Sequence, residues 1–528
     1  MSNKMALTGG HLINGHWHRT PAVFGAVDPA TGHVLAPEFC EATHHQVDQA
    51  MAAASAAFEA VANLDPRWPA SLLDRIAEEI MALGDALLDR AAAETALPRG
   101  RLISERGRTV GQLKMFAQIV REGAWLDATI DTGDAHRQPL PKPDVRRMAI
   151  ARGPVAVFGA SNFPFAFSAV GGDTASALAA GNPVIVKGHP SHPGTSELFA
   201  TAVLAAIKAR NLPPGLYALL QGRSNDLGAA LVRHPAAAAV GFTGSRKAGR
   251  ALFDLAAGRP NPIPVYAEMG SLNPLIILPG AIQERGAAMA KDLAGSILLG
   301  GGQFCTKPGV ILMVGNPTEF LVALEQHISS TQSVTMLNQP LRDGFLSRVT
   351  QWKRIDGVRA SGAPAAIGYA GTRPILFETT AAVFLSEGEL REEAFGPAAL
   401  VVRCDDETEI ARVLGTLGGN LTATVHAAAG DNPVALIGAM QSIAGRIVFN
   451  GYPTGVEVCN AMVHGGPYPA TTDANSTSVG SAAIRRFARQ VAFQNTPDEF
   501  LPPALQNGNP LKIIRNVNGR MTAEPVER

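Results

Sequence analysis

Several short segments hold side chains able to do chemistry. Cys305 lies in Gly300-Gly-Gly-Gln-Phe-Cys-Thr-Lys-Pro-Gly309, behind a run that reads as a long helix. A thiolate there is a strong nucleophile, and the glycines let a ligand approach the backbone closely. Lys307, two residues on, is placed to lower the thiol pKa. The plain alternative is a buried structural cysteine. Glu268 is a lone carboxylate in the apolar run Val265-Tyr-Ala-Glu-Met-Gly-Ser-Leu-Asn-Pro274. Burial would raise its pKa and suit it to general-base work; an exposed strand-end Glu is the alternative. Asn162, in Ser161-Asn-Phe-Pro164, follows an apolar strand. Its amide could donate to a developing oxyanion, or it could simply form a turn before proline.

A second set suits a phosphate-bearing ligand. Gly244 and Ser245 stand between a strand and a helix, where free backbone N–H groups make an anion site or an ordinary Ser N-cap. Lys187 ends a strand, placed for ribose hydroxyls or phosphate, with a surface lysine as the alternative. Glu393, in Glu392-Glu-Ala-Phe-Gly-Pro397, is a further carboxylate, otherwise a solvated turn residue.

The elements that must position these groups follow an α/β rhythm. Apolar strands are expected at 155–158, 183–187, 216–220 and 239–242, alternating with helices at 173–180, 196–209, 226–233 and 246–257. That alternation implies parallel β-α units, an open sheet, and ligands at the carboxyl ends of the strands. The usual G-x-G-x-x-G is absent; Gly159-Ala-Ser-Asn-Phe-Pro164 stands in its place. Upstream, 47–62 and 69–96 show amphipathic helical spacing. Gln138-Pro-Leu-Pro-Lys-Pro143 cannot be a helix interior and reads as an extended arm. A strand at 275–278, a helix at 283–299 and a strand at 310–314 begin a second α/β unit.

Composition bounds the remaining choices. The chain has 528 residues with 45 Lys+Arg and 45 Asp+Glu, which argues against nucleic-acid wrapping or adhesion to anionic membranes. With 46% hydrophobic and 17% charged residues it is not a disordered chain. Cys40, Cys305, Cys404 and Cys459 form no C-x-x-C pair, so neither a disulfide framework nor a structural zinc site is expected. Gly153 to Gly172 lacks formal charge, but its prolines and Asn162 read as strand, loop and helix rather than a membrane span. The first residues show no signal-peptide h-region, and a cytoplasmic location is expected.

Taken in order, Asn162, Lys187, Gly244-Ser245, Glu268, Cys305 and Glu393-x-Phe395-Gly-Pro397 closely resemble the aldehyde dehydrogenase superfamily. The resemblance runs from Asp28-Pro-Ala-Thr-Gly32 to Phe493. It implies a Rossmann-like cofactor domain from 1–134 and 153–267, and an α/β catalytic domain from 268–465. It also implies an oligomerisation arm at 135–152 with strands at 488–500, and a homodimer or homotetramer. It implies that Cys305 attacks an aldehyde, that Asn162 and the Cys305 backbone N–H hold the oxyanion, and that Glu268 activates water. By the same resemblance Lys187 meets the adenosine ribose, Ser245 the pyrophosphate, Glu393 the nicotinamide ribose, and Phe395 packs by the nicotinamide.

Departures from the family pattern carry information. NAD-using members usually place a Glu three residues beyond the Lys; here that place is Pro190, in Lys187-Gly-His-Pro-Ser-His-Pro193. A missing carboxylate removes repulsion of a 2′-phosphate, and His189, Ser191, His192 and Arg223 could supply donors. NADP is therefore expected, with NAD possible. Glu268-Met-Gly-Ser-Leu272, Lys187-Gly-His-Pro190 and Gly465-Gly-Pro-Tyr-Pro-Ala-Thr-Thr-Asp-Ala474 look like a bacterial subgroup. It holds α-ketoglutarate semialdehyde (2,5-dioxopentanoate) dehydrogenases and an NADP-preferring fatty aldehyde dehydrogenase. Arg106, Arg108 and Gln112 are candidates to bind a substrate carboxylate, or else form a solvated helix face; Phe163 and Phe167 would wall the tunnel. The alternatives are a long-chain or broad aldehyde dehydrogenase, a cofactor-free thioesterase-like hydrolase, and a non-catalytic binding protein on the same fold. The tail from Leu511 offers a weak extra strand, with fraying expected after Gly519.

Overall fold

The structure, a computed structural model, describes residues 6–526. Five apolar strands form a parallel sheet because each is buried on both faces and linked by a helical crossover. Their spatial order is Val265–Glu268, Ala239–Thr243, Val155–Phe158, Val184–Lys187, Tyr217–Leu220. The hairpin His11–Ile13 and His16–His18 adds an antiparallel edge. Chain order runs outward in both directions from Val155–Phe158, so a crevice opens at the carboxyl ends beside it. A second sheet orders Arg359–Ala360, Ile375–Thr380, Ala398–Cys404, Val310–Val314, Leu275–Ile277, Asn420–His426 and Ala444–Phe449. The architecture is α/β, as expected, and its elements fall close to the spacing-based bounds.

The differences have local causes. The helix expected at 283–299 starts earlier, as Pro279–Leu298, because Pro279 fits a first-turn position, and it kinks at Arg285. The helical stretch at 69–96 divides into Trp68–Ala82 and Gly84–Thr95, with Gly84 at φ +55°. The tail does not fray after Gly519. Arg520–Thr522 pairs with Arg515–Val517, which lies parallel to Thr129–Asp131. This hairpin extends a five-stranded sheet in which Val145–Ala151 pairs antiparallel with Ala488–Gln494 of the same chain. Arg515 is fully buried beneath it, and its guanidinium donates to the carbonyls of Ala504, Gln506, Asn507 and Glu524. Among the described residues no helix is long and apolar enough to cross a membrane.

The two large sheets meet where Glu268 ends the last strand of the first. Seven residues later the chain enters the second sheet at Leu275–Ile277. Asn273, held at φ +48°, joins this junction to the Cys305 loop. Its Nδ2 donates to the carbonyls of Cys305 (2.8 Å) and Lys307 (2.9 Å), while its Oδ1 accepts from Thr422. Gly309 N–H donates to the Leu272 carbonyl beside it.

Candidate active site

A cleft of about 350 Å³ lies at this junction. Its walls bring together Asn162, His189, Gly244, Ser245, Glu268, Cys305, Glu393 and Phe395. Cys305 is presented by Gly300, Gly301 and Gly302, all at positive φ; a Cβ on Gly302 would stand 2.3 Å from the Gly396 carbonyl oxygen. Burial pushes the Cys305 thiol well up, and the facing Glu268 carboxylate adds to the rise. Arg108 acts in the opposite direction. Lys307 does not serve the thiol as its proximity in sequence suggested. Its Nζ donates to the carbonyls of Ala394 (3.2 Å) and Ala398 (2.6 Å), and it is 2% exposed. Burial lowers its ammonium, opposed by Glu393, whose own carboxyl burial raises.

Glu268 is 3% exposed but is not raised in pKa. Burial does push it up, and His464 with Ser478 and Cys305 outweighs that push, leaving the carboxyl below its ordinary value. His464 Nε2 lies 2.9 Å from Glu268 Oε1 and 3.5 Å from Cys305 Sγ. Ser478 Oγ donates to Glu268 Oε2. Both residues arrive on a segment that returns beside the first sheet: Thr472 N–H donates to the Ala267 carbonyl and Met269 N–H to the Ala470 carbonyl. Sequence reasoning missed His464. The only local signal was its position directly before Gly465-Gly466.

Asn162 Nδ2 donates one hydrogen to the Gln303 carbonyl (2.9 Å), leaving the other for a ligand. Ser245 N-caps the helix Arg246–Ala257 by accepting from Ala248 N–H, so its hydroxyl is a cap, and the first turn of that helix meets the cleft at Ser245 and Ala248. Gly270 admits Glu393: a Cβ there would lie 2.3 Å from Glu393 Oε2. Lys187 stands at its strand end, in register with Phe158 and Leu220, where burial lowers its ammonium to about 8. His189 stacks on His192 at 5.2 Å, and the Ser191 hydroxyl accepts from Asn338 Nδ2.

Arg223 departs from its expected part as a free donor. Its Nε donates to Glu41 Oε1 (2.9 Å) and its guanidinium lies over Phe24. Pro190 brings no carboxylate to this corner, but Glu41 brings one from the segment before helix His44–Val61, and it acts on Lys187.

The other substrate candidates sit on helix Arg99–Glu122. Arg101, Glu105, Arg108 and Gln112 recur at helical spacing and share one face; Arg106 falls off that face. Its guanidinium donates to the Gly84 carbonyl (2.9 Å), so it is not brought to the cleft. Arg108 lies over the Phe167 ring and faces Cys305, with Nε and one terminal nitrogen buried and unpartnered. Gln112 Nε2 is likewise unpartnered, against Gly172. Arg101, absent from the sequence-based set, packs over Phe163 and Phe304 and donates to the Asn162 carbonyl (2.5 Å), with one terminal nitrogen unpartnered. Glu105 accepts from Phe165 and Ala166 N–H and fixes the Asn162 loop to the helix. Phe163, Phe167, Phe304 and Val479 form one apolar cluster with Val456, Val458 and Met462.

The model described as the aldehyde dehydrogenase family matches residues 17–468. The chain is 48% identical to the alpha-ketoglutaric semialdehyde dehydrogenase 2 of Azospirillum brasilense, over 98% of this chain and 100% of that one. It is 46% identical to an alpha-ketoglutaric semialdehyde dehydrogenase of Acinetobacter baylyi, over 92% and 93%. Among solved structures, a gamma-glutamyl-gamma-aminobutyraldehyde dehydrogenase from Burkholderia cenocepacia superposes with TM-score 0.80 at 22% identity, covering 93% of this chain and 97% of that one. An NAD+ complex of an aldehyde dehydrogenase from Bacillus cereus gives TM-score 0.79 at 21% identity, covering 92% and 96%.

Proposed function

The chain belongs to the aldehyde dehydrogenase family, and we propose that it oxidises 2,5-dioxopentanoate to 2-oxoglutarate, using NADP with NAD also accepted. The observation that carries this reading is the buried, unpartnered guanidinium edge of Arg108, which acts on a thiol faced by an acid and an imidazole, with one unpartnered nitrogen of Arg101 on the same helix face. An aldehyde with a keto-carboxylate at its far end meets those donors; a plain alkyl aldehyde leaves them unpaired at a cost. The Azospirillum and Acinetobacter relatives are named for the same compound, alpha-ketoglutaric semialdehyde.

The cleft fits a nicotinamide dinucleotide: a helix N-terminus opens at a strand end, and Gly270 makes room for Glu393. When bound, that group supplies the hydride acceptor. The chain's own residues do the rest. Cys305 Sγ, after passing its proton toward Glu268 or His464, bonds to the aldehyde carbon. Asn162 Nδ2, with the Cys305 backbone N–H, donates to the oxygen as negative charge gathers there. Glu268, aligned by Ser478 and His464, takes a proton from the water that cleaves the Cys305 thioester. For the second phosphate of NADP, the supporting features are Pro190 in place of a carboxylate, and Arg223 offsetting Glu41. A homo-oligomer in the cytoplasm completes the proposal.

A second reading, oxidation of long-chain aldehydes, is favoured by the apolar Phe163–Phe167–Phe304 cluster. Parallel initial rates with 2,5-dioxopentanoate, succinic semialdehyde, hexanal and a long-chain aldehyde, each with NADP and NAD, decide between them. The expected kcat/KM for dioxopentanoate exceeds that for hexanal by at least about tenfold, the worth of one charged hydrogen bond. A preference for long apolar aldehydes overturns the substrate assignment. A rate with NAD far above that with NADP overturns the cofactor assignment.

A further inference from the structure

We propose that Cys305, His464 and Glu268 form a zinc(II) site whose occupation reversibly shuts the enzyme. The donor atoms of these three side chains all lie within 4.8 Å of one another. His464 Nε2 stands 3.5 Å from the sulfur and 2.9 Å from Glu268 Oε1. A tetrahedral zinc with bonds of about 2.0–2.3 Å needs neighbouring donors about 3.5 Å apart, so side-chain adjustments of about an ångström bring all three onto one ion.

The donor set selects the metal. Thiolate, imidazole and carboxylate together suit zinc, whereas calcium and magnesium require oxygen ligands. Three protein ligands leave the fourth position toward the cleft for water. Two donors are already fixed from behind: Ser478 holds Glu268 Oε2, and Asn273 holds the Cys305 loop through two backbone carbonyls. Arg108 and Arg446 oppose a cation here, while Glu393 favours one. Two anionic ligands at bond distance outweigh the arginines. On binding, the thiol proton and any proton on Nε2 leave to solvent, two metal bonds form in their place, and no electron is transferred. The sulfur lone pair needed for attack is then held by the metal. The inference is independent of which aldehyde the enzyme oxidises.

The test uses the full-length enzyme and does not rely on turnover alone. Zinc chloride should bind one ion per chain by equilibrium dialysis, abolish activity, and be fully reversed by EDTA. Cobalt(II) at the same site should give the near-ultraviolet thiolate-to-metal band and intense visible bands of tetrahedral coordination. His464→Phe and Glu268→Gln should weaken zinc by at least about 100-fold, a first-sphere ligand being worth no less than its supporting shell. Cys305→Ser should remove the thiolate band. Circular dichroism confirms that each variant is folded. Cys459→Ser, which alters the exposed cysteine outside the site, should leave zinc affinity unchanged. The proposal is overturned if no zinc is retained at stoichiometric concentration, if His464→Phe binds zinc as tightly as the parent, or if Cys459→Ser abolishes binding.

Discussion

His464 holds the Glu268 carboxyl down against its burial, and this can be measured. In His464→Phe only the Ser478 and Cys305 hydrogen bonds still oppose burial, so the Glu268 carboxyl rises and stays protonated to higher pH. The acidic limb of the kcat profile should therefore move upward in pH, with kcat at the plateau falling by about 10²-fold if the imidazole also moves protons. An unmoved limb would show that His464 does not govern Glu268. At the nucleotide corner, Glu41→Gln should raise the NADP-to-NAD ratio of kcat/KM by about tenfold, since removing a unit charge near a phosphate is worth about 1–2 kcal/mol in a partly solvated site. Parallel rates with both nucleotides check it. Cys305, Glu268 and Asn162 each stood out in the sequence only beside a plain structural alternative; the order of motifs joined them, and the structure brings all three to one cleft. His464 did not stand out, because its meeting with Cys305 and Glu268 is made wholly by tertiary return of a loop; spacing carries no trace of that. Arg223 misled for the same reason: its partner Glu41 comes from a distant segment.

Helix Arg99–Glu122 acts as a ruler, and its register sorts the arginines. Residues 101, 105, 108 and 112 face the Asn162 loop and the apolar cluster, while Arg106 donates to the Gly84 carbonyl at the start of the neighbouring helix. Arg108→Met should raise KM for 2,5-dioxopentanoate by about 10- to 100-fold and leave hexanal nearly unchanged, the loss of one or two charge-assisted hydrogen bonds. Equal losses on both substrates would place Arg108 in support of the fold instead. The sequence picked out this helix but not its face, since charged residues surround it and hydrophobic periodicity is weak. Strands were clearer: Val155–Phe158 and Val310–Val314 are short, branched and bounded by glycine or proline, which spacing alone exposes. The break between Trp68–Ala82 and Gly84–Thr95 was hidden because the apolar stripe continues across it.

Seen whole, the chain is closed by its tail. Arg515, fully buried, satisfies four backbone carbonyls, and Ile513 packs on Gly123. Arg515→Ala should destabilise the protein by about 3 kcal/mol, read as a lowered midpoint in urea, with KM for aldehyde unchanged. Loss of aldehyde affinity in the folded variant would instead tie the tail to the site. The tail read as frayed because short polar strands with Asn518-Gly519 between them gain their order from an edge already present, not from their own composition.

That five-stranded sheet also orders events in time. Its strands come from residues 129–151 and 488–522, with the five parallel strands of the first large sheet and all of the second made in the interval. On the ribosome, Val145–Ala151 emerges early and waits with an unpaired edge until almost the whole chain has been made. The slowest step of maturation is therefore expected to be this late long-range pairing, and the waiting edge is where nascent chains are most exposed to aggregation or most in need of a chaperone.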